Sequence, residues 1–470
     1  MLENNGGLYS DEAAPSRPAT YGLHRPLHDK PADHQEDALP LAGLTLPAVS
    51  AYDPPVSGEG SLDPVGLASI SDRLADLLVP GLRARMGQVR FVTAIAVGSL
   101  ACEPLAEQVP ADGISTPAIC FEWLAVEAFV RKLGKELPSG IPGSQKARAV
   151  LQRSQRLSAA TYLKGPSVFG FNGVYKPFAV DARVVGPGLE PGTRCADLVR
   201  AWEHDQDLKG FTDDVPGTTG HDLRKRIRLE VQDALAAGGC RTAAGNRVFG
   251  QLAAALRPDD MGPTERRVLR SLITDPGHET RAELAGLVAD LDPSRYEAEL
   301  LESVRPRCSP ALARIVDAVV AYEQFAALVD AGFRTLCSIS YSLGGQPFTP
   351  AAAREHETIR HCADHLPASY RRAADAVAQV LPDAVLEHRL GELAFPRTPA
   401  ELAEQLLAHH EQVQAGKPPH GRRPWFEPLR GGWVVRKAYG AGDPPQLGPW
   451  FVHPVRVAPL LRFMKDTADE

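Results

Sequence analysis

The sequence lacks the patterns that mark disulfide-rich, zinc-binding and membrane-spanning proteins. Its 470 residues include seven cysteines, an odd number, and no two of them form a C-x-x-C pair. We therefore expect no disulfide framework and no zinc ribbon. The longest apolar stretch, 91–102, is shorter than the roughly 20 residues that a membrane-spanning helix needs. Because the N-terminus also shows no basic region followed by an apolar core, the sequence predicts a cytoplasmic protein without a membrane partner.

The common nucleotide-binding and catalytic motifs are missing as well. The sequence has no G-x-x-x-x-G-K-[ST], no G-x-G-x-x-G after a predicted strand and no G-x-S-x-G. Segment 140–146 has glycines and a lysine, but their spacing is wrong, and Pro142 lacks the amide hydrogen that a phosphate would need. The sequence thus predicts no cofactor and no catalytic residue, and it favours a protein that is not an enzyme.

One pair of histidines is spaced like half of a metal site. His361 and His365 lie four residues apart on a predicted helix, with Cys362 beside them and His356 upstream. Zinc in proteins takes three or four protein ligands, so at least one more would have to come from elsewhere in the chain. The alternative is that both histidines are solvated residues on the helix surface. We predict no bound metal, with His361 and His365 as the only candidates.

Length and composition indicate a globular protein built from several modules. Hydrophobic residues make up 44% of the chain and charged residues 23%, which is close to the average of globular proteins. At roughly 100–200 residues per domain, a chain of this length predicts two to four modules. The formal net charge of -7 excludes a protein that binds polyanions over its whole surface.

Apolar residues repeat mostly at helical spacing, which predicts a mainly α, multi-domain protein. Its β structure is expected to be a small winged-helix-like β-hairpin module and a C-terminal β-ribbon. The folded part is expected to begin at Asp63-Pro64, a capping residue followed by a proline. The predicted parts are a disordered acidic tail at 1–60, an N-terminal helical domain at 61–136, a basic winged-helix-like module at 137–240, a second helical domain at 241–415 and a basic aromatic ribbon at 416–470.

The segment 137–180 is basic and contains no Asp or Glu. Two predicted helices are followed by Asn172-Gly173 between aromatic residues, and Asn-Gly is the strongest short signal for a hairpin turn. Helices followed by a two-stranded ribbon are typical of a winged helix, and a basic module of this kind suits phosphate contacts. The alternative is an ordinary hairpin with a solvated basic face. The candidate nucleic-acid-binding residues of this segment are Lys146, Arg148, Arg153, Arg156, Lys164 and Lys176.

A second basic segment lies near the C-terminus. Between Lys417 and Lys437, Glu427 is the single acid, and aromatic residues are interleaved with the basic ones. Exposed aromatic side chains can stack on unpaired bases while arginines hold phosphates. The alternative is a β-ribbon with buried tryptophans, and the Gly431-Gly432 turn predicts a ribbon in either case. The candidate nucleic-acid-binding residues here are Arg422, Arg423, Trp425 and Arg436.

Both basic segments are nearly free of acids in a chain that is acidic as a whole. We therefore predict that they lie on one face of the molecule and form a single groove for nucleic acid, with phosphates held from both sides.

Several stretches resemble a group of bacterial proteins. They are the segment 71–90, which contains Asp-Arg-Leu-Ala-Asp-Leu-Leu-Val-Pro-Gly, the basic segment 137–180, the Tyr-Glu-Gln-Phe segment 322–325, and 409–425, which begins His-His and ends Arg-Pro-Trp. The chain here resembles proteins encoded beside helicases and nucleases in anti-phage defence islands, of the kind found with DISARM-like systems. The resemblance implies a defence role, DNA as a possible ligand, and helicase, ATPase or nuclease subunits of the same system as partners. It carries no assigned catalytic residues.

Three functions stay open at this point. The first is a nucleic-acid-binding or scaffold subunit of a bacterial anti-phage defence complex, without catalytic activity of its own. The second is a metal-dependent nuclease with a divergent site around His356, His361 and His365. The third is a winged-helix transcriptional regulator, which should dimerise and read a palindrome. A nuclease should require a divalent metal, whereas a scaffold should co-purify with a helicase or an ATPase.

Overall fold

Helices form most of the chain, as the apolar spacing predicts. The computed structural model describes residues 63–163, 165–382, 384–418, 420–440, 446–448 and 450–468, without the side chains of residues 167 and 168. The tail predicted at 1–60 and the candidate Lys164 lie outside these residues. The described residues all belong to one compact unit. The multi-domain division is therefore not confirmed, and the boundaries near 136, 240 and 415 stay predictions.

The first half of the described chain is entirely helical in its regular elements. These are α1 (Ala68–Leu78), α2 (Phe91–Cys102), α3 (Pro117–Leu133), α4 (Ser144–Gln152), α5 (Pro166–Phe169), α6 (Phe171–Asp181), α7 (Cys195–Asp205), α8 (Thr219–Ala237) and α9 (Arg247–Ala255). Short 3-10 helices follow α2 at Glu103–Leu105 and α3 at Gly134–Glu136.

The second half adds further helices and one β-ribbon. Its elements are α10 (Pro263–Ile273), α11 (Glu279–Val288), α12 (Glu297–Val304), α13 (Pro310–Ser342), α14 (Pro350–Ala353), α15 (Glu357–Val377), α16 (Val385–Leu390), α17 (Pro399–Ala415), β1 (Phe426–Leu429), β2 (Gly432–Val435) and α18 (Val457–Asp466). Further 3-10 helices lie at Arg305–Arg307, Gly391–Ala394 and Lys437–Tyr439. None of the described helices is long and apolar enough to cross a membrane.

Helix α2 is the centre of the first half because nearly all of its residues are buried. It packs against α3, α6, α7 and α8. The contact with α3 is very close, since a Cβ atom added at Gly98 would lie 2.3 Å from the Phe121 ring. On the other side, the Phe91 ring lies 5.4 Å from Phe171 and 5.2 Å from Tyr175, measured between ring centroids. These aromatic contacts hold α6 on α2.

The winged-helix hairpin predicted at Asn172-Gly173 is not formed, because both residues lie in the first turn of α6. The apolar residues around them repeat at helical spacing instead of alternating, and that face of the helix is buried. A helix also lets the backbone amide of Asn172 donate to the buried Glu122 carboxylate at 2.9 Å. The winged-helix-like module is therefore not confirmed. The buried residues of this face are Phe171, Val174, Tyr175 and Phe178.

The long helix α13 organises the second half. Its 33 residues span about 50 Å at 1.5 Å per residue. It packs against α1, α11, α15 and α17. At its middle, Tyr322 Oη donates to the Leu67 carbonyl at 2.6 Å, and the Glu323 carboxylate accepts the Ser71 hydroxyl at 2.8 Å. These bonds attach the start of α1 to α13.

The C-terminal β-ribbon is confirmed. Strands β1 and β2 pair antiparallel, with Phe426 opposite Val435 and Leu429 opposite Gly432. The two central turn residues, Arg430 and Gly431, both have positive φ, at 49° and 81°, which is the backbone geometry of a type I′ hairpin. The ribbon packs on the C-terminal part of α13, where the Val435 amide donates to Ser340 Oγ at 2.7 Å.

Candidate nucleic-acid interface

One side of α4 is exposed and basic. The helix buries Ser144, Ala147 and Val150 and packs against α3. At 100° per residue, its remaining side chains point away from α3 in one arc. This arc has no acidic residue, and its basic residues are exposed. They are Lys146 and Arg148, and the exposed Arg153 follows directly after the end of the helix.

The chain enters α4 through a position that only glycine can occupy. Gly143 has a φ of +77°, and a Cβ atom there would lie 1.8 Å from Tyr162 Oη. The glycine therefore serves close packing and the turn into the helix. The segment 140–146 resembles a phosphate-binding loop in composition. The contact with Tyr162 accounts for Gly143 without a bound phosphate.

The buried carboxylate of Glu122 on α3 holds the basic segment in place. It accepts hydrogen bonds from Tyr162 Oη at 3.0 Å and from the Asn172 amide at 2.9 Å. Burial raises the pKa of Glu122 to about 7, because desolvation outweighs these bonds, which favour the charged form. The acid therefore ties the chain before α5 and the start of α6 to α3.

Arg156 faces the protein more than the solvent. Its guanidinium forms an ion pair with Glu127 at 3.1 Å and donates to the Thr242 carbonyl. Glu127 is fully buried and also pairs with Arg131 at 3.0 Å. Since a buried carboxylate and a carbonyl both occupy this guanidinium, the geometry favours a structural role for Arg156 over a phosphate contact.

Two arginines from distant parts of the sequence extend the basic surface, and sequence reasoning missed both. The Arg85 guanidinium lies 4.8 Å from the centroid of the Phe169 ring, and that ring is 48% exposed. Arg462 on α18 approaches Gly87, whose added Cβ would lie 4.0 Å from both the Arg462 guanidinium and the Gly140 carbonyl. Neither arginine is close to 137–180 in sequence, so no local pattern signals them.

Lys176 is partly exposed on α6, on the side opposite the buried aromatic residues. We use the name basic face for the accessible basic residues on and around α4 and α6, taken together with Arg85 and Arg462. The basic face consists of Arg85, Lys146, Arg148, Arg153, Lys176 and Arg462.

The second basic segment is packed more tightly than a base-stacking platform requires. Trp425 is only 8% exposed, and its ring stacks on Tyr439 with centroids 4.5 Å apart. Arg436 forms an ion pair with Glu427 at 3.1 Å. Arg422 is half-buried, and its amide donates to the Gln414 carbonyl at 2.8 Å. Arg423 is exposed. This arrangement favours the ribbon with a buried tryptophan.

The two adjacent histidines in the C-terminal half of α17 bind backbone instead of phosphate. His409 Nε2 donates to the Val65 carbonyl at 2.9 Å, and His410 Nδ1 donates to the Pro64 carbonyl at 2.7 Å. His410 Nε2 accepts the Trp425 amide at 2.8 Å, which requires a neutral ring. Burial accordingly lowers the pKa of His410 to about 4. Both histidines fasten the chain ahead of α1.

The two basic segments pack on different helices. Helices α4 and α6 contact α3 and α2, whereas the ribbon contacts α13. Lys146, Arg148 and Arg153 lie on α4 or directly after it and Lys176 lies on α6, two helices that both pack on α3, whereas Arg422, Arg423, Trp425 and Arg436 lie in or near the ribbon. A single groove that contains both groups stays a prediction.

The candidate metal histidines form a stacked pair. The rings of His361 and His365 lie 4.1 Å apart between centroids, and His365 Nδ1 donates to the His361 carbonyl at 2.9 Å. In the part of the chain that the structure describes, no group of three or more His, Cys, Asp or Glu side chains could hold a metal ion.

We expect the purified protein to carry no stoichiometric zinc, because two histidines without a third ligand bind the ion too weakly. Elemental analysis of protein purified without chelator measures this directly. The matched variant is His361→Ala. One zinc per chain in the parent, lost in that variant, would show the prediction to be wrong and would favour the nuclease hypothesis.

Comparison of the chain with family models, with curated proteins and with solved structures found no match.

Proposed function

We propose that the protein is a nucleic-acid-binding subunit without catalytic activity of its own, and that it binds phosphates through the basic face. The observation that carries the proposal is the exposed side of α4, where Lys146 and Arg148 have no acidic neighbour on the helix and the exposed Arg153 follows directly after its end. A surface of this kind attracts the nucleic-acid backbone and releases its condensed counterions.

The composition of the basic face favours contacts to the backbone over reading of bases. Phosphate contacts position a protein on nucleic acid and carry no sequence information. The exposed Phe169 ring beside Arg85 adds one aromatic surface, which would suit stacking with an unpaired base. We therefore propose binding that is insensitive to sequence.

The proposed setting is a bacterial anti-phage defence complex, in which helicase, ATPase or nuclease subunits would supply the catalysis. It is supported by the resemblance described under the sequence analysis. A regulator would need a base-reading element, and the helix at 171–181 replaces the hairpin on which that alternative rested.

The double variant Lys146→Gln with Arg153→Gln should weaken binding to all sequences alike. Each lost phosphate contact lowers the slope of log K against log salt by roughly 0.7–0.9, so the slope should fall by about twice that amount. The measurement is fluorescence anisotropy with labelled single- and double-stranded DNA of two unrelated sequences, titrated at several salt concentrations. The matched control removes two exposed arginines from α13 and α15, Arg314→Gln with Arg371→Gln, and should keep the slope.

Binding that is equal in the double variant and in the control would contradict the role of the basic face. A separate Arg423→Gln variant tests the single groove. A reduced salt slope in this variant would place the ribbon in the same binding surface, whereas an unchanged slope would exclude Arg423 from it.

A further inference from the structure

A cavity of about 770 Å³ opens between α12, α13, α15 and the residues Leu447, Gly448, Trp450 and Phe451. Its volume lies in the range of sites that bind small organic molecules. None of the residues of the basic face lines it, so it is a feature of its own. The stacked pair His361 and His365 lines it. No described group of metal ligands includes these two histidines.

The wall formed by α15 carries hydrogen-bond donors. His361, His365, Ser369 and Arg372 follow one another at intervals of four, four and three residues, so they share one side of the helix, and all four line the cavity. Ser369 is only 1% exposed, and within the described residues its hydroxyl has no hydrogen-bond partner. The Arg372 guanidinium is exposed and likewise forms no ion pair with a described residue.

The wall formed by α13 is mostly apolar, with Asp317 and Gln324 as its polar residues. Val320, Ala321 and Leu328 of α13 face the cavity, and each of them is partly exposed although it lies in the middle of a long helix. At one end, Leu447 and Trp450 are 39% and 44% exposed. Large apolar side chains at a cavity mouth are typical of a surface that a ligand covers.

The charged residues that line the cavity are two arginines, Arg305 and Arg372, and two acids, Glu302 and Asp317. Arg305 is neutralised by Asp317, which it binds through two hydrogen bonds of 2.5 and 2.6 Å. Arg372 is then the one cation of the lining without an ion pair among the described residues, and the exposed Glu302 lies on the α12 side. A phosphate ester with nearly two negative charges would lack a second cation.

We propose that this cavity binds a small organic carboxylate with an aromatic or aliphatic body. Arg372 and the Ser369 hydroxyl would hold the carboxylate, because an arginine hydrogen bond to a carboxylate is charge-assisted and stronger than a neutral one. The apolar body would lie against α13 and Trp450. The donors on α15 and the apolar residues on α13 lie on two different helices that line the cavity, so an amphipathic ligand can contact both.

The test compares acids with their uncharged amides by isothermal titration calorimetry on the full chain. The probes are 4-phenylbutyrate and octanoate, each paired with its primary amide. We expect both acids to bind one per chain and more tightly than their amides. Arg372→Gln should weaken the acids about tenfold, the effect of losing roughly 1.4 kcal/mol, and should leave the amides unchanged.

Two further variants test whether the probes bind in the cavity or elsewhere on the surface. Arg371→Gln removes the neighbouring exposed arginine, which does not line the cavity, and should leave all four affinities unchanged. Ala327→Trp should fill the cavity and abolish binding of acids and amides alike, while circular dichroism shows whether the helices are retained.

Three outcomes would overturn the proposal. They are no binding by any of the four probes at millimolar concentration, equal affinity of acids and amides in the parent, and an Arg372→Gln variant that binds the acids as the parent does. Because DNA binding is measured separately on the basic face, failure here is distinguishable from failure of the proposed function.

Discussion

Replacing Glu265 with leucine should destabilise the protein by about 3–5 kcal/mol, the usual cost of leaving one member of a buried ion pair without its partner. Glu265 and Arg90 are both almost fully buried and lie 3.1 Å apart. Arg90 also donates to the Ala255 carbonyl at 3.0 Å, so a single guanidinium joins the start of α2 to α9 and α10. These contacts fix the helix on which α6 and the basic face are mounted.

The reverse substitution, Arg90→Met, should cost less at acidic pH than at neutral pH. Burial already raises the pKa of Glu265 despite the opposing effect of Arg90, and without Arg90 the acid can become neutral by taking up a proton. The guanidinium left by Glu265→Leu cannot lose its proton, because arginine stays charged in proteins. Because the parent itself loses stability as pH rises through the raised pKa of Glu265, the cost of Glu265→Leu should be no smaller at pH 5.5 than at pH 7.5.

Denaturant unfolding followed by circular dichroism at both pH values measures these differences. The matched control is Arg305→Met, which breaks an exposed ion pair with Asp317; exposed pairs contribute about 0–1 kcal/mol. A loss below about 1 kcal/mol for Glu265→Leu would show that the pair does not join the three helices as described.

The N-terminal ends of helices that carry a capping residue and a proline were predictable from the sequence. Thr116-Pro117 combines a capping side chain with a proline, and Thr116 Oγ1 indeed accepts the Ile119 amide at 3.3 Å. Asp63 accepts the amides of Leu67 and Ala68, as its pattern suggested, although α1 begins only at Ala68. These signals act within one turn of helix, so a single sequence contains all of their partners.

Asn172-Gly173 shows where a local signal failed. The dipeptide favours a hairpin turn only when the flanking strands can bury alternate residues. Here the flanking residues bury one helical face against α2, and Glu122, 50 positions earlier, accepts the amide of Asn172. Tertiary packing outweighed the turn preference, and the partner that decided it was invisible in the segment itself.

The candidate site divides in the same way. The exposed side of α4 was predictable, because the spacing of apolar and basic residues along an amphipathic helix indicates which side faces the solvent. The environments of Arg156 and Trp425 were not, because Glu127, Thr242 and Tyr439 reach them from other elements. The cavity beside α15 was equally hidden, since its walls come from segments that are distant in sequence.

The buried Glu122 should make the free energy of unfolding depend on pH. The pKa of Glu122 is raised in the folded protein from 4.5 to about 7 by burial. Between these values the folded state binds more protons than the unfolded state, so stability falls as pH rises from about 4.5 to about 7. At about 1.4 kcal/mol per pKa unit, this one group should account for about 3 kcal/mol of the loss.

Glu122→Gln should remove this part of the pH dependence. A glutamine can accept the Asn172 amide through its oxygen and donate to Tyr162 Oη through its nitrogen, so both contacts of the carboxylate have a neutral replacement. The variant should therefore match the parent near pH 4.5 and exceed its stability by up to about 3 kcal/mol near pH 8. Denaturant unfolding at pH steps across this interval measures the difference, in which the titration of all other groups cancels.

The exposed Glu107→Gln is the matched control and should follow the parent. Stability curves of Glu122→Gln and parent that run parallel from pH 4.5 to 8 would mean that Glu122 is ionised in the folded protein throughout, held by Tyr162 and the start of α6 more strongly than burial opposes it.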